Sequence, residues 1–345
     1  MLHYYYVGGF PPPFGGVTIK NKNLYAALSE RLPIKKIDFK KVKRGNFREV
    51  FRMVRAFMDR KAVFAIGIAG RSNRKALCKL LYKYNRKAME RSVLFLMGGS
   101  AADDFEDKDY REHCKYFRKV YAETEGMVKK MEEYGMKNAA CYPNCRFKPE
   151  KAYSPASTDG MLRCVFFSIV RPEKGVNIIL EAAKLLPNVR IDFYGPVDDA
   201  YKEEYFKKID LIPTVRYRDV FSGSPEEVYA KLNEYNVVLL PTHWKAEGVP
   251  GILVEAKIAC VPAIVSNYRF NSEIVHDGVD GYVLKDYAPQ TLADAITRLD
   301  EDRALLAEMS ESARKDAEHY YIENLMDEIT GILIETDMPG VFTMK

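Results

Sequence analysis

The sequence predicts an α/β protein built from two doubly wound, Rossmann-like domains, each with a parallel sheet. Three observations carry this expectation. Apolar runs of strand length alternate with amphipathic runs of helix length along the chain. A polar stretch rich in Pro, Ser and Thr, residues 148–160, interrupts the alternation near the middle. The length, 345 residues, exceeds what one core comfortably fills.

In the first half, Leu2–Val7 is an apolar and aromatic run closed by Gly8-Gly9, which reads as a buried strand. A Gly- and Pro-rich loop follows, then a helix over Val17–Leu32. Further strands are expected at Ala62–Ile68, Val93–Met97, Lys119–Thr124 and Ala139–Tyr142, with a helix over Glu125–Tyr134. After the linker, strands are expected at Leu162–Ile169, Arg190–Tyr194, Val237–Leu240, Ala263–Ser266 and Gly281–Leu284. Helices are expected at Val176–Leu186, Pro225–Glu234, Ile252–Cys260 and Pro289–Leu299, then over Arg303–His319 and Glu323–Glu335. The expected domains are residues 1–150 and 151–325, with a C-terminal helix, 326–345, returning to the first.

Composition excludes several classes. No apolar run reaches the roughly 20 residues that span a bilayer. Met1–Gly9 lacks the pattern of a signal peptide. The six cysteines are scattered and complete no metal-ligand spacing, so free thiols in a reducing cytoplasm are expected. No G-x-G-x-x-G follows a strand, which leaves a nicotinamide cofactor unsupported. The D-x-D triplets Asp107–Asp109 and Asp300–Asp302 lie in a charged loop and a helical acidic stretch, and are not read as metal ligands. The net charge of +5 hides an asymmetry: residues 1–150 carry 32 Lys+Arg against 16 Asp+Glu, and residues 151–345 carry 21 against 32.

The basic half contains two amphipathic stretches. Phe47–Lys61 sets Val50, Phe51, Val54, Phe57 and Met58 against Arg48, Arg52, Arg55, Arg60 and Lys61. Arg71–Arg91 repeats the style. Both apolar faces are expected to pack on the first sheet. The outward charges then either face water or contact an anionic membrane surface. No nucleic-acid recognition module is present.

The chemistry concentrates in PTHWKAEGVPGILVEAKIACVP, Pro241–Pro262. Glu247 and Glu255 are separated by seven residues, and Gly248, Val249 and Pro250 make a turn before a helix opening at Gly251. A helix start offers unpaired N–H groups and positive potential, which suit a diphosphate. The two carboxylates could accept hydrogen bonds from sugar and ribose hydroxyls, or merely favour the helix dipole.

This segment resembles the E-x7-E motif of retaining GT-B glycosyltransferases, the group 1 or family 4 glycosyltransferases. FFSIVRPEKGVNIILEA (Phe166–Ala182), NSEIVHDGVDGYVL (Asn271–Leu284) and AETEGMVKKMEEYGMKNAACYPNCRF (Ala122–Phe147) resemble further blocks of that family, in the same order. The resemblance implies two Rossmann-like domains facing a central cleft, and a metal-independent, retaining hexosyltransferase with no cofactor. Its substrate would be a nucleotide-diphosphate sugar, UDP- or GDP-linked. It implies that Glu247 orients the donor sugar, Glu255 holds the ribose and Lys174 meets the diphosphate. Backbone amides of Gly248, Val249, Pro250 and Gly251 would belong to the phosphate cradle, which the Gly15-Gly16 loop would close. Two departures stand out. Ile169 occupies the family's usual arginine position, leaving Arg171 either to reach the diphosphate or to sit at the surface, and the stretch Leu94–Phe105 lacks the usual histidine. Trp244 either lines the cleft or packs. The implied task is addition of a sugar to a glycan or lipid-linked acceptor in surface polysaccharide or lipopolysaccharide synthesis, at the inner face of the cell membrane. The rival readings are a sugar-nucleotide epimerase of the same fold and a non-catalytic sugar-nucleotide-binding protein.

Overall fold

The computed structural model describes residues 1–12, 15–157, 159–245 and 247–335. The chain divides into two compact units, Met1–Phe147 with Tyr321–Lys345, and Lys148–Tyr320. The divisions therefore fall a few residues before the expected 150 and 325.

The first unit holds β1 (His3–Gly8), β2 (Lys35–Asp38), β3 (Ala62–Gly67), β4 (Val93–Phe95), β5 (Lys119–Ala122) and β6 (Ala139–Cys141). They form one parallel sheet in the order β2-β1-β3-β4-β5-β6. Every residue of β3, AVFAIG, is buried, because a parallel sheet covered by helices hides both faces. Phe95 and Tyr121 stack at 5.0 Å, and Tyr142 meets Phe95 edge-on at 5.2 Å. Leu24 and Leu28 from the helix Gly16–Ser29 join Met326, Ile329 and Leu333 from the helix Glu323–Ile334 in the same core. Residues 336–345 of the expected terminal helix lie outside the described residues.

Two parts of the first unit differ from expectation. β2, KKID, is an edge strand with no apolar run and one fully buried residue, so periodicity does not reveal it. The helix Phe47–Met58 lays only part of its apolar face on the sheet: Phe57 meets Phe64 of β3 edge-on at 5.4 Å and Ala56 is buried, while Phe47, Phe51, Val54 and Met58 are exposed. The helix lies beside edge strand β2, and its Phe47, Phe51, Val54 and Met58 stripe faces away from that contact. The helix Arg71–Tyr84 does bury Leu77 and Leu81, while Leu80 and Tyr84 stay exposed.

The second unit holds β7 (Leu162–Phe167), β8 (Val189–Tyr194), β9 (Val215–Tyr217), β10 (Val237–Leu240), β11 (Ala263–Ser266) and β12 (Gly281–Leu284). They form a second parallel sheet in the order β12-β11-β10-β7-β8-β9. β9, another short edge strand, was not expected from the sequence. The first strand, β7, has β8 on one side and β10 on the other. The winding reverses there, so the loops after β7 and β10 leave the sheet side by side.

Candidate active site

Those two loops hold the charged cluster of the second unit. After β7 the chain makes a single turn of 3-10 helix, Pro172–Lys174, and closes it at Gly175. Gly175 has φ +80°, and a Cβ there would stand 2.2 Å from the Pro241 carbonyl oxygen. Only glycine allows this left-handed closure and the close approach of the two loops. The His243 amide donates to the Glu173 carbonyl at 2.8 Å, fastening the second loop to the first.

Lys174 and Glu247, both buried, meet in this crossing: Lys174 Nζ donates to Glu247 Oε2 at 2.6 Å. Thr242 Oγ1 donates to the same oxygen at 2.9 Å. Ser266 Oγ in turn donates to the Thr242 carbonyl, tying the cluster to the end of β11. Among the described residues both side-chain bonds to Glu247 fall on Oε2, which leaves Oε1 available. Trp244 is half-buried and receives two cations, with Lys174 Nζ 4.7 Å and the Arg171 guanidinium 5.7 Å from its ring centroid. Arg171 also donates to Glu173 at 3.0 Å and lies 3.8 Å from Asp198. It is thus part of the cluster's rim, held by two carboxylates.

The loop continues through Gly248, Val249 and Pro250 into the helix Gly251–Ile258. Pro250 is the N-cap and offers no side-chain oxygen to the opening amides. Pro at this position fixes φ near −64° without needing a donor of its own. Glu255 lies half-buried on this helix. Gly15 and Gly16 belong to the first unit, where Gly15 precedes the helix Gly16–Ser29, and among the described residues neither glycine has an atom within 4 Å of where a Cβ would lie. Ile169 follows β7, half-buried. Thr242 and Gly175 were not singled out by sequence reasoning. The glycine after Lys174 was the available signal for Gly175, whereas Thr242 carries none outside the fold.

Other acidic groups are engaged elsewhere. Asp107 pairs with Lys75 at 2.7 Å and caps a helix, and these bonds hold its pKa at about 2. Asp300 pairs with Arg303, and Asp302 caps the helix Arg303–Asp316. His276, Asp280 and Asp316 approach one another as metal ligands do, but the buried Lys257 ammonium stands between the carboxylates, 2.6 Å from Asp280 and 2.8 Å from Asp316.

HepE of Anabaena, solved in complex with UDP, superimposes with a TM-score of 0.73 at 15% identity, covering 96% of this chain and 99% of that one. The sucrose-phosphate synthase of Thermosynechococcus elongatus gives 0.71 at 12% identity, covering 96% and 98%. Among curated proteins, the poly(glycerol-phosphate) alpha-glucosyltransferase of Bacillus subtilis (strain 168) is 28% identical over 149 residues, 41% of this chain and 21% of that protein. The putative colanic acid biosynthesis glycosyltransferase WcaL of Escherichia coli (strain K12) is 23% identical over 205 residues, 55% and 48%. The chain thus spans from a fifth to about half the length of the curated relatives it matches. The fold is GT-B, two parallel-sheet α/β units, and residues 154–316, most of the second unit, match the family of glycosyl transferases group 1.

Proposed function

We propose that the protein is a retaining glycosyltransferase that moves a hexose from a nucleotide-diphosphate sugar to a glycan or lipid-linked acceptor. The observation that carries this reading is the buried Lys174–Glu247 pair beside a helix start whose N-cap residue, Pro250, offers no side-chain oxygen. A leaving nucleoside diphosphate gains negative charge as the anomeric C–O bond breaks. Lys174 and the amides of Gly248, Val249 and Gly251 are the donors that meet it, and each such preorganised donor is worth roughly 10²–10³ in rate. Pro250 has no N–H and contributes only its fixed φ.

Glu247 neutralises Lys174. An arriving diphosphate competes for the ammonium and frees Glu247 to accept from sugar hydroxyls. Glu255 holds the ribose. Arg171 reaches the diphosphate by leaving Glu173 and Asp198. The acceptor hydroxyl attacks the anomeric carbon from the face the phosphate leaves. Its proton passes to a phosphate oxygen, so configuration is retained and no protein base or metal enters the step.

Of the two donor classes, UDP- and GDP-linked, the UDP-linked one draws support from HepE, solved with UDP and with UDP-glucose. A role in surface polysaccharide or lipopolysaccharide synthesis, at the inner face of the cell membrane, draws support from relatives named for colanic acid biosynthesis and for transfer to a diphosphoundecaprenol-linked sugar. The test is product analysis by NMR after incubation with candidate nucleotide sugars and a polyprenyl-diphosphate glycan, with and without EDTA. The proposal predicts one new linkage with the donor's anomeric configuration, unaffected by EDTA and nearly abolished in Glu247→Ala. A second reading, nucleotide-sugar binding without transfer, is favoured by Ile169 and by the two carboxylates on Arg171; it predicts binding and no product with any acceptor.

A further inference from the structure

The helix Phe47–Met58 presents an apolar stripe that the fold leaves uncovered. Phe47 is 80% exposed, Phe51 59%, Val54 52% and Met58 77%. At about 100° per residue these four positions lie on one line along the helix. The Phe47 and Phe51 rings stack on each other at 6.4 Å rather than against the core. On one flank, Val50, Met53 and Phe57 line a groove of about 740 Å³ that Leu80 and Tyr84 of the helix Arg71–Tyr84 close on the far side. On the other flank stand Arg48, Arg52 and Arg55.

A contiguous apolar surface of this kind is rarely left to water. Its charge setting selects the partner. Between Phe39 and Lys61 the chain carries nine Lys and Arg against Glu49 and Asp59. Glu49 is engaged by Arg52 at 2.7 Å, and Asp59 by His3 at 2.7 Å. An apolar stripe with aromatic residues beside a cationic flank is the pattern of a helix lying in a bilayer interface. A second copy of this chain fits less well. Antiparallel two-fold pairing along the stripe would set one arginine flank against the other.

We infer that this surface docks the protein on an anionic lipid leaflet: Phe47, Phe51, Val54 and Met58 enter the headgroup–acyl boundary, and Arg48 and Arg55 meet lipid phosphates. Among the described residues no helix is long and apolar enough to cross a membrane. The inference goes beyond glycosyl transfer and does not depend on it.

The test is co-sedimentation of the full chain with phosphatidylcholine vesicles, with and without phosphatidylglycerol, across a salt series. Wild type is expected to pellet with the phosphatidylglycerol vesicles and to release as salt rises. Each arginine that nears the surface contributes roughly fivefold to binding, so Arg48→Gln/Arg55→Gln should weaken it at least tenfold. Phe47→Ser/Phe51→Ser should also weaken it at least tenfold and leave the melting midpoint unchanged, because these rings are not in the core. Failure of wild type to pellet with either vesicle would overturn the inference, as would undiminished binding of the phenylalanine variant. A vesicle-free dimer that the phenylalanine substitutions dissociate, with no vesicle binding, would assign the stripe to a second copy instead.

Discussion

Removing the cation from the Lys174–Glu247 pair tests the site's architecture before any substrate is known. Lys174→Met keeps the length and apolar body of the side chain and deletes the ammonium. Glu247 is then left 6% exposed with its Oε2 bonded by Thr242 alone. Stranding one member of a buried pair costs about 3–5 kcal/mol, whereas replacing both members by uncharged groups of similar volume is often close to neutral. The pair lies inside a unit of residues 148–320, and in a domain of that size each kcal/mol moves the midpoint by about 2–4 °C. Lys174→Met should therefore lower the melting midpoint by roughly 6–20 °C. The double variant Lys174→Met/Glu247→Leu should recover most of that loss. The assay is a double-mutant cycle by urea unfolding, following the transition of the second unit, with Glu247→Leu completing the square. A coupling energy under about 0.5 kcal/mol would refute the reasoning, because neighbours in one buried network do not behave additively.

Three further substitutions have expected outcomes, two at the same cluster and one in the core of the second sheet. Gly175→Ala forces a left-handed residue and a Cβ against the Pro241 carbonyl oxygen, so urea unfolding should show a loss of at least about 2 kcal/mol with unchanged slope. Thr242→Val removes the hydroxyl on Glu247 at nearly constant volume; if Glu247 orients the donor, turnover should drop about tenfold while circular dichroism stays native. Asp192, fully buried on β8, feels burial raising its pKa, but hydrogen bonds from Arg190, Tyr235 and Arg218 outweigh that and hold it below the ordinary 3.8. A lowered folded pKa gives stability that is present above the ordinary value and lost as pH falls through the folded one. Asp192→Asn should cost about 1–3 kcal/mol near neutrality, and the gap to wild type should narrow once the pH drops below about 4 in pH-dependent urea melts.

The central strands were legible because burial writes itself into them: AVFAIG at β3 and VVLL at β10 are apolar throughout. The edge strands KKID and VRY were not, since one side of each pairs with nothing and charges are tolerated there. Periodicity also showed that Phe47–Met58 has an apolar side, but not where that side goes. Its exposure depends on which sheet edge the helix lies beside, and spacing along the chain does not encode that. At the site, Glu247 and the turn at Gly248–Pro250 stood out from local pattern. The meeting of Lys174 with Glu247, 73 residues apart, arises only once β7 and β10 lie side by side. Thr242 was silent for the same reason: its hydroxyl matters through a partner that the fold supplies.

The central claim is that Lys174 belongs to a diphosphate site. Isothermal titration of the folded protein with UDP and with GDP, in wild type and Lys174→Met, tests it most directly. A charge-assisted hydrogen bond is worth about 1.5–3 kcal/mol, or roughly 10–100-fold in affinity. The account predicts that one nucleotide binds wild type and that the variant binds it weaker by that factor. Equal affinity in the two proteins, or no binding of either nucleotide to wild type, would contradict it.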